Sequence, residues 1–104
     1  MTRKERLALA RNSKTSPKIL VELSKDKDWG VRHWVAYNPN APPETLVELS
    51  KDKDLRVRYS VARNPNTPPE TLLILSDDKE KDIRIALLER QDLDPLVRFK
   101  LTEI

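Results

Sequence analysis

Residues 35–60 read VAYNPNAPPETLVELSKDKDLRVRYS, and residues 61–86 read VARNPNTPPETLLILSDDKEKDIRIA. Direct counting gives about 15 identities over the 26 positions, so the two stretches are copies of one unit. Residues 9–34, LARNSKTSPKILVELSKDKDWGVRHW, form a further copy that shares about 14 positions with the 35–60 stretch. The flanks, residues 1–8 and 87–104, are partial copies, the second suited to capping. Single columns run through the whole chain: Arg6, Arg32, Arg58 and Arg84; Pro17, Pro43, Pro69 and Pro95; Leu23, Leu49, Leu75 and Leu101; Asn12, Asn38 and Asn64. A fixed period between about 20 and 50 residues is the mark of a solenoid, in which each unit buries its apolar face only against its neighbours.

One repeat carries two helical signals. Thr67-Pro68-Pro69-Glu70 reads as an N-cap threonine, prolines in the first turn and a capping-box glutamate. Proline is tolerated there because the first-turn amides have no intrahelical partner. The short helix then runs through Leu72 and Leu75, with Leu46/Leu49 and Leu20/Leu23 as equivalents, and is expected to be partly 3₁₀. After a Ser-Lys-Asp-Lys linker, Asp28 and Asp54 stand where an N-cap belongs. The second helix pairs Val31 with Val35 and Val57 with Val61 at i, i+4, which faces both toward a core. Asn38 and Asn64 are expected to end it in left-handed geometry, and Pro39 and Pro65 prevent its continuation. No segment alternates with period two. The expected fold is therefore all-α, a short solenoid of about four two-helix repeats in a single repeat domain over residues 1–104.

Composition bounds the chemistry. Apolar residues are 38% and aromatics 5%, so aliphatic stacking must supply the core. Charged residues are 36%, with both signs interspersed, which describes a solvated surface on a periodic apolar frame. There is no cysteine, which excludes disulfides and thiolate metal sites. The N-terminal MTRKERLALARN has no apolar run of signal-peptide length and no stretch approaches a membrane span, so a cytoplasmic protein is expected. The net charge of +3 is mild, and most Lys and Arg clusters carry an adjacent Asp or Glu.

The string V-A-x-N-P-N-x-P-P-E-x-L-x-x-L-S-x-D, carried by residues 35–58 and 61–84 and more loosely by 9–32, resembles the leucine-rich repeat variant family. The resemblance implies α-helices alternating with short α or 3₁₀ helices in a right-handed superhelix, similar in shape to HEAT-type arrays. It implies a scaffold more than an activity. The 26-residue unit is slightly longer than the family's usual repeat. The iron–sulfur module of some members needs clustered cysteines, which this chain lacks.

Two sets of residues are candidates for function. Arg6, Arg32, Arg58 and Arg84 would form a ladder with rungs about 8–10 Å apart. Such a ladder could track phosphates. It could equally be internal glue, since Asp28, Asp54 and Glu80 each precede an arginine by four residues, a favourable helical pairing. The glue reading is preferred. The aromatics break the repeat. Trp29 shares its column with Arg3, Leu55 and Lys81; Trp34 with Ala8, Ser60 and Ala86; Tyr37 with Arg11, Arg63 and Glu89. A column that varies is not dictated by the stack, so its residue is free to meet a partner or to fill a local gap. Trp29, His33 and Tyr37 share one helical stripe, and Tyr59 is the equivalent of His33 one repeat later.

These readings give a non-catalytic scaffold that binds a protein through the variable second-helix surface, with Trp29, His33, Trp34, Tyr37, Arg56, Tyr59 and Arg63 as candidate contacts. The alternative is nucleic-acid binding through Arg32, Arg56, Arg58, Arg63 and Arg84, with Trp29 or Tyr37 stacking on bases. A HEAT-like base-excising enzyme is disfavoured, because no acid stands out of register in an aromatic pocket. No nucleophile–base set, metal-ligand cluster or glycine-rich phosphate loop accompanies His33 or Gly30, so neither an enzyme nor a bound cofactor is expected. Arg98 replaces the core leucine of its column, which suits a C-terminal cap. No comparable cap is read at the N-terminus, so Leu7 and Leu9 are expected to be partly exposed, with self-association through that end.

Overall fold

A computed structural model describes residues 1–103. It contains eight α-helices among the described residues: α1 (Arg3–Arg11), α2 (Pro17–Leu23), α3 (Trp29–Tyr37), α4 (Pro43–Leu49), α5 (Leu55–Arg63), α6 (Pro69–Leu75), α7 (Lys81–Leu88) and α8 (Pro95–Thr102). From α1 to α6, helices of nine and seven residues alternate, and α7 and α8 have eight each. The long helices α1, α3, α5 and α7 pack in succession on one another, and each short helix lies against its long neighbours. The result is an elongated two-layer stack of 47 × 21 × 18 Å, a short α-solenoid.

The core follows from the leucine and valine columns. Leu20, Leu46, Val31, Val35, Val57, Val61, Ile83 and Leu87 are fully buried, as are Ala36 and Ala62. The alanines are small where consecutive long helices meet, which lets their backbones approach. Complete burial of a leucine or valine contributes about 1.5–3 kcal/mol, and here the contribution recurs at every register turn.

The long helices α3 and α5 start at an acidic cap, and α1 at Thr2. The Asp28 and Asp54 carboxylates accept from the backbone N–H of Gly30 and Arg56, as the sequence leads one to expect. The short helices differ from expectation at their starts. Pro42 and Pro68, not a threonine, hold the N-cap positions of α4 and α6, with no side-chain cap. The Thr67 hydroxyl instead donates to the Val61 carbonyl at 2.7 Å, where it closes the C-terminal turn of the preceding helix. Thr15 makes the same bond to Leu9 at 2.6 Å. The short helices are α-helical throughout, with no 3₁₀ segment among the described residues.

The helix-ending asparagines also depart from expectation. Asn38 and Asn64 have φ of −72° and −73° with extended ψ, and no residue among those described has left-handed geometry. Each precedes a proline, whose ring disfavours helical geometry in the residue before it. The side chains have another use. Asn38 Nδ2 donates to the carbonyls of Ala10 and Asn12, both at 2.9 Å. Asn64 repeats the contact one unit on, to Ala36 at 2.7 Å and Asn38 at 3.1 Å. Arg90 occupies the same column in the last unit and donates to Ala62 and Asn64. This ladder satisfies the open carbonyls at the end of each long helix with donors from the next repeat.

The ends differ. Arg98 Nη1 donates to the Leu88 carbonyl, and Nη2 to that of Arg90. These are the two register positions that a ladder side chain takes in every earlier unit, so Arg98 closes the ladder from within its own repeat. At the other end Leu7 and Leu9 are half-buried. Glu5 is exposed there, in the column otherwise filled by Val31, Val57 and Ile83. That polar substitution also caps the stack, a feature missing from the sequence reading.

Candidate functional site

The arginine column lies along one edge of the stack, where each short helix turns back into the next long one. Arg32 Nε donates to Asp52 Oδ2 at 2.8 Å, its Nη2 to Asp52 Oδ1 at 3.2 Å, and its Nη1 to the Asp26 carbonyl at 2.8 Å. Arg58 makes the same three bonds to Asp78 and the Asp52 carbonyl. Arg6 reaches Asp26 at 2.7 Å, and Arg84 Nη1 reaches the Asp78 carbonyl at 2.6 Å. For Arg6, Arg32 and Arg58 the partner is thus the aspartate 20 residues ahead, in the next linker, and for Arg32 and Arg58 it is not the acid four residues behind. Asp28 and Asp54 are committed elsewhere: they cap their helices and pair with Arg3 and Arg56. The Oδ1 atoms of Asp52 and Asp78 also accept the backbone N–H two residues on, which shapes the linker. Arg32 and Arg58 are only 8% exposed. Hydrogen bonding to Asp52 raises the pKa of Arg32 further.

The aromatic residues gather on the outer face of α3. His33 is the hub: its ring centroid lies 4.9 Å from Trp34, 6.1 Å from Trp29 and 6.4 Å from Tyr37. Trp34 and Tyr37 meet edge-on at 5.5 Å. His33 is half-buried, and its Nδ1 lies 2.7 Å from the Ser60 hydroxyl of α5. Trp34 and Tyr59 are half-buried against the core, whereas Trp29 is 38% and Tyr37 58% exposed. The sequence stripe therefore divides: Trp29 and Tyr37 stand outward, Trp34 leans inward, and His33 bridges to α5.

Three of the aromatics, Trp29, Trp34 and Tyr59, carry an arginine. The Arg56 guanidinium lies 3.4 Å from the Trp29 ring centroid, held flat by two bonds to Asp54 at 2.8 and 3.0 Å. This pair draws the Asp54 carboxyl down to about 2, with the Arg56 side-chain bond as the largest cause. Arg11 lies 4.8 Å over Trp34, and Arg63 5.8 Å over Tyr59. The electron-rich ring faces attract these cations, by about 0.5–1 kcal/mol at exposed sites. Arg56 and Arg63 were legible as candidates. Arg11, which shares its column with Tyr37 and Arg63, is added to them by its place over Trp34.

Two crevices bear on the reading of this region, one beside it and one across the stack. One of about 300 Å³ lies between the C-terminal ends of α3 and α5, beside Tyr37. A larger one of about 430 Å³ lies on the opposite layer, between α2 and α4, lined by Val21, Glu48 and Leu49 among others. The larger holds no aromatic. Among the described residues no group of three or more His, Cys, Asp or Glu is placed to hold a metal ion, and no helix is long and apolar enough to cross a membrane.

Comparison with known proteins gives one match. The family model for the leucine rich repeat variant fits residues 29–54 and 55–80, two consecutive 26-residue spans that make up half of the chain. No curated protein and no solved structure matches. The matched spans begin at the first residues of α3 and α5, so the family's repeat carries the helix that bears the aromatic face.

Proposed function

This chain belongs to the leucine rich repeat variant family, and on that premise we propose that it is a non-catalytic scaffold whose long-helix face binds a protein partner. The observation that carries the reading is the exposure of Tyr37 at 58% and Trp29 at 38%, in columns that the stack does not dictate. Large aromatic rings held outward on a rigid helix are the residue type most often found at the centre of protein interfaces. Their cost of ordering is already met, because His33, Trp34 and Arg56 fix them before any partner arrives.

The arginine edge supports a phosphate-binding reading poorly. The Arg32 and Arg58 guanidinia are buried and bonded to aspartate and backbone carbonyls, so a phosphate would have to displace a nearer carboxylate.

The test is site-specific photo-cross-linking. Benzoylphenylalanine at position 37 is expected to trap a defined protein in cell extract, and the same group at the exposed Glu22 of the short-helix layer is not. Binding of the purified partner should then fall in Tyr37→Ala and Trp29→Ala with the fold unchanged. Equal trapping at both positions would end the reading. Salt-sensitive binding of the chain to mixed-sequence duplex, with no protein adduct, would put nucleic acid in its place.

A further inference from the structure

One register position decides whether the space between neighbouring long helices is filled. Its occupants along the chain are Ala8, Trp34, Ser60 and Ala86. On the α1 side of α3 the seat is taken by Trp34, with the Arg11 guanidinium 4.8 Å over its ring and Tyr37 edge-on at 5.5 Å. One repeat later the same seat belongs to Ser60, whose side chain is far smaller. Ser60 is 2% exposed and its hydroxyl is held by His33, so it forms a floor. Above it lies the crevice of about 300 Å³, walled by Tyr37, Pro39, Arg63, Asn64 and Pro65. The flanking positions exchange roles. Tyr37 stands where Arg11 stood, and Arg63 where Tyr37 stood. The open seat keeps one guanidinium and one phenol ring as neighbours.

We propose that this crevice seats an aromatic side chain from an acidic segment of a protein partner, in the place that Trp34 takes one repeat earlier. The proposal rests on the long-helix face being the interaction surface, and it names the chemistry of what binds there. Trp34 itself shows which occupant the seat accepts: a flat ring between a cation and a phenol. Tyr37, Pro39 and Pro65 offer the apolar walls, and the Arg63 guanidinium meets the electron-rich face of the ring. Arg63 is available for this. Its bond to Glu89 is long at 3.5 Å and both side chains are about half exposed, so a ligand replaces it at small cost. The surrounding charge selects the flanking residues. Arg11 and Arg63 stand along the face, Arg56 being neutralised by Asp54, and Arg11 makes no ion pair among the described residues. Carboxylates beside the ring complement them, and lysines there are repelled.

The experiment uses three peptides: N-acetyl-Glu-Trp-Glu-amide and its counterparts with leucine at the centre or lysine on both flanks. Each is titrated into the full chain and followed by ¹H–¹⁵N NMR. The first should shift the amides of Tyr37, Ser60, Arg63 and Asn64, and each counterpart should bind at least about tenfold more weakly. Ser60→Trp fills the seat, so it should abolish these shifts while melting at the same temperature or higher. If that variant does not fold, Arg63→Ala serves in its place and should weaken the first peptide by about tenfold or more. Shifts centred on the α2–α4 crevice, no shifts at all, or equal binding of the leucine or lysine peptide would overturn the proposal. A cross-link from position 37 with a silent crevice would overturn the seat and leave the surface standing. A peptide seated in the crevice with no cross-linked partner would do the reverse.

Discussion

Arg58 holds Asp78 across the repeat boundary, Nε to Oδ2 at 2.8 Å, while its Nη1 ties down the Asp52 carbonyl. One guanidinium thus joins the turn on either side of α5. Arg32 does the same for α3, so the arginine edge works as a seam.

The seam should carry unequal loads. Arg58→Ala leaves Asp78 with its Oδ2 unpaired at a site where that side chain is only 8% exposed. Breaking one half of a buried pair costs about 3 kcal/mol. Arg6 is 21% exposed and lies at the end of the array, so its pair with Asp26 is less desolvated and its loss costs less, about 1–2 kcal/mol. Urea unfolding of the two single variants should show this ratio, and equal losses would contradict the seam.

Asn64→Asp keeps the shape of the side chain and removes its donor. The carbonyls of Ala36 and Asn38 then face a carboxylate in place of an amide N–H. An unsatisfied buried polar group costs about 1–3 kcal/mol, more where a charge is involved. The variant should unfold at least about 2 kcal/mol below the parent. The midpoint shift in urea reads it directly.

Acid should loosen the array from its surface carboxylates. Asp54 is held at about 2 by Arg56, and Asp28, Asp92 and Glu5 are lowered by Arg3, Arg90 and the Thr2 backbone N–H respectively. In the unfolded chain these groups titrate near about 4. Below that value the unfolded state binds more protons than the folded state, so stability falls with falling pH. The contribution is fully present above about pH 5 and is lost as pH drops through the folded values toward 2. Thermal melts between pH 6 and 2 should show a plateau and then a decline, and Asp54→Asn should flatten the decline. A constant melting temperature over that range would contradict it.

The outer aromatics should be dispensable for folding. Tyr37→Ala removes a ring that is 58% exposed and should change stability by less than about 1 kcal/mol. Leu46→Ala, at a fully buried register position, should cost about 2–5 kcal/mol. Circular dichroism melts of the pair separate surface from core. A Tyr37→Ala loss as large as that of Leu46→Ala would make the aromatic face part of the core.

Much of this architecture is legible in the amino-acid sequence. The 26-residue columns imply a stack, Asp28 and Asp54 read as helix caps, and the leucines and valines fall on the buried side. Those features are local or periodic, and helical geometry turns spacing directly into a face. The exposed half of the aromatic stripe was visible for the same reason: Trp29 and Tyr37 lie eight residues apart on one helix, in columns that vary. What the spacing could not supply was the identity of partners across repeats. An arginine with acids at four residues behind and twenty ahead has two lawful choices, and only packing showed that the near one was spent on a cap. The same holds for Asn38 and Asn64, whose carboxamides reach back 28 and 26 residues to carbonyls that no sequence pattern marks as open. The contrast between Trp34 and Ser60 was written in one column. That one fills a seat and the other leaves it open was decided by the distance between stacked helices, which belongs to the fold alone.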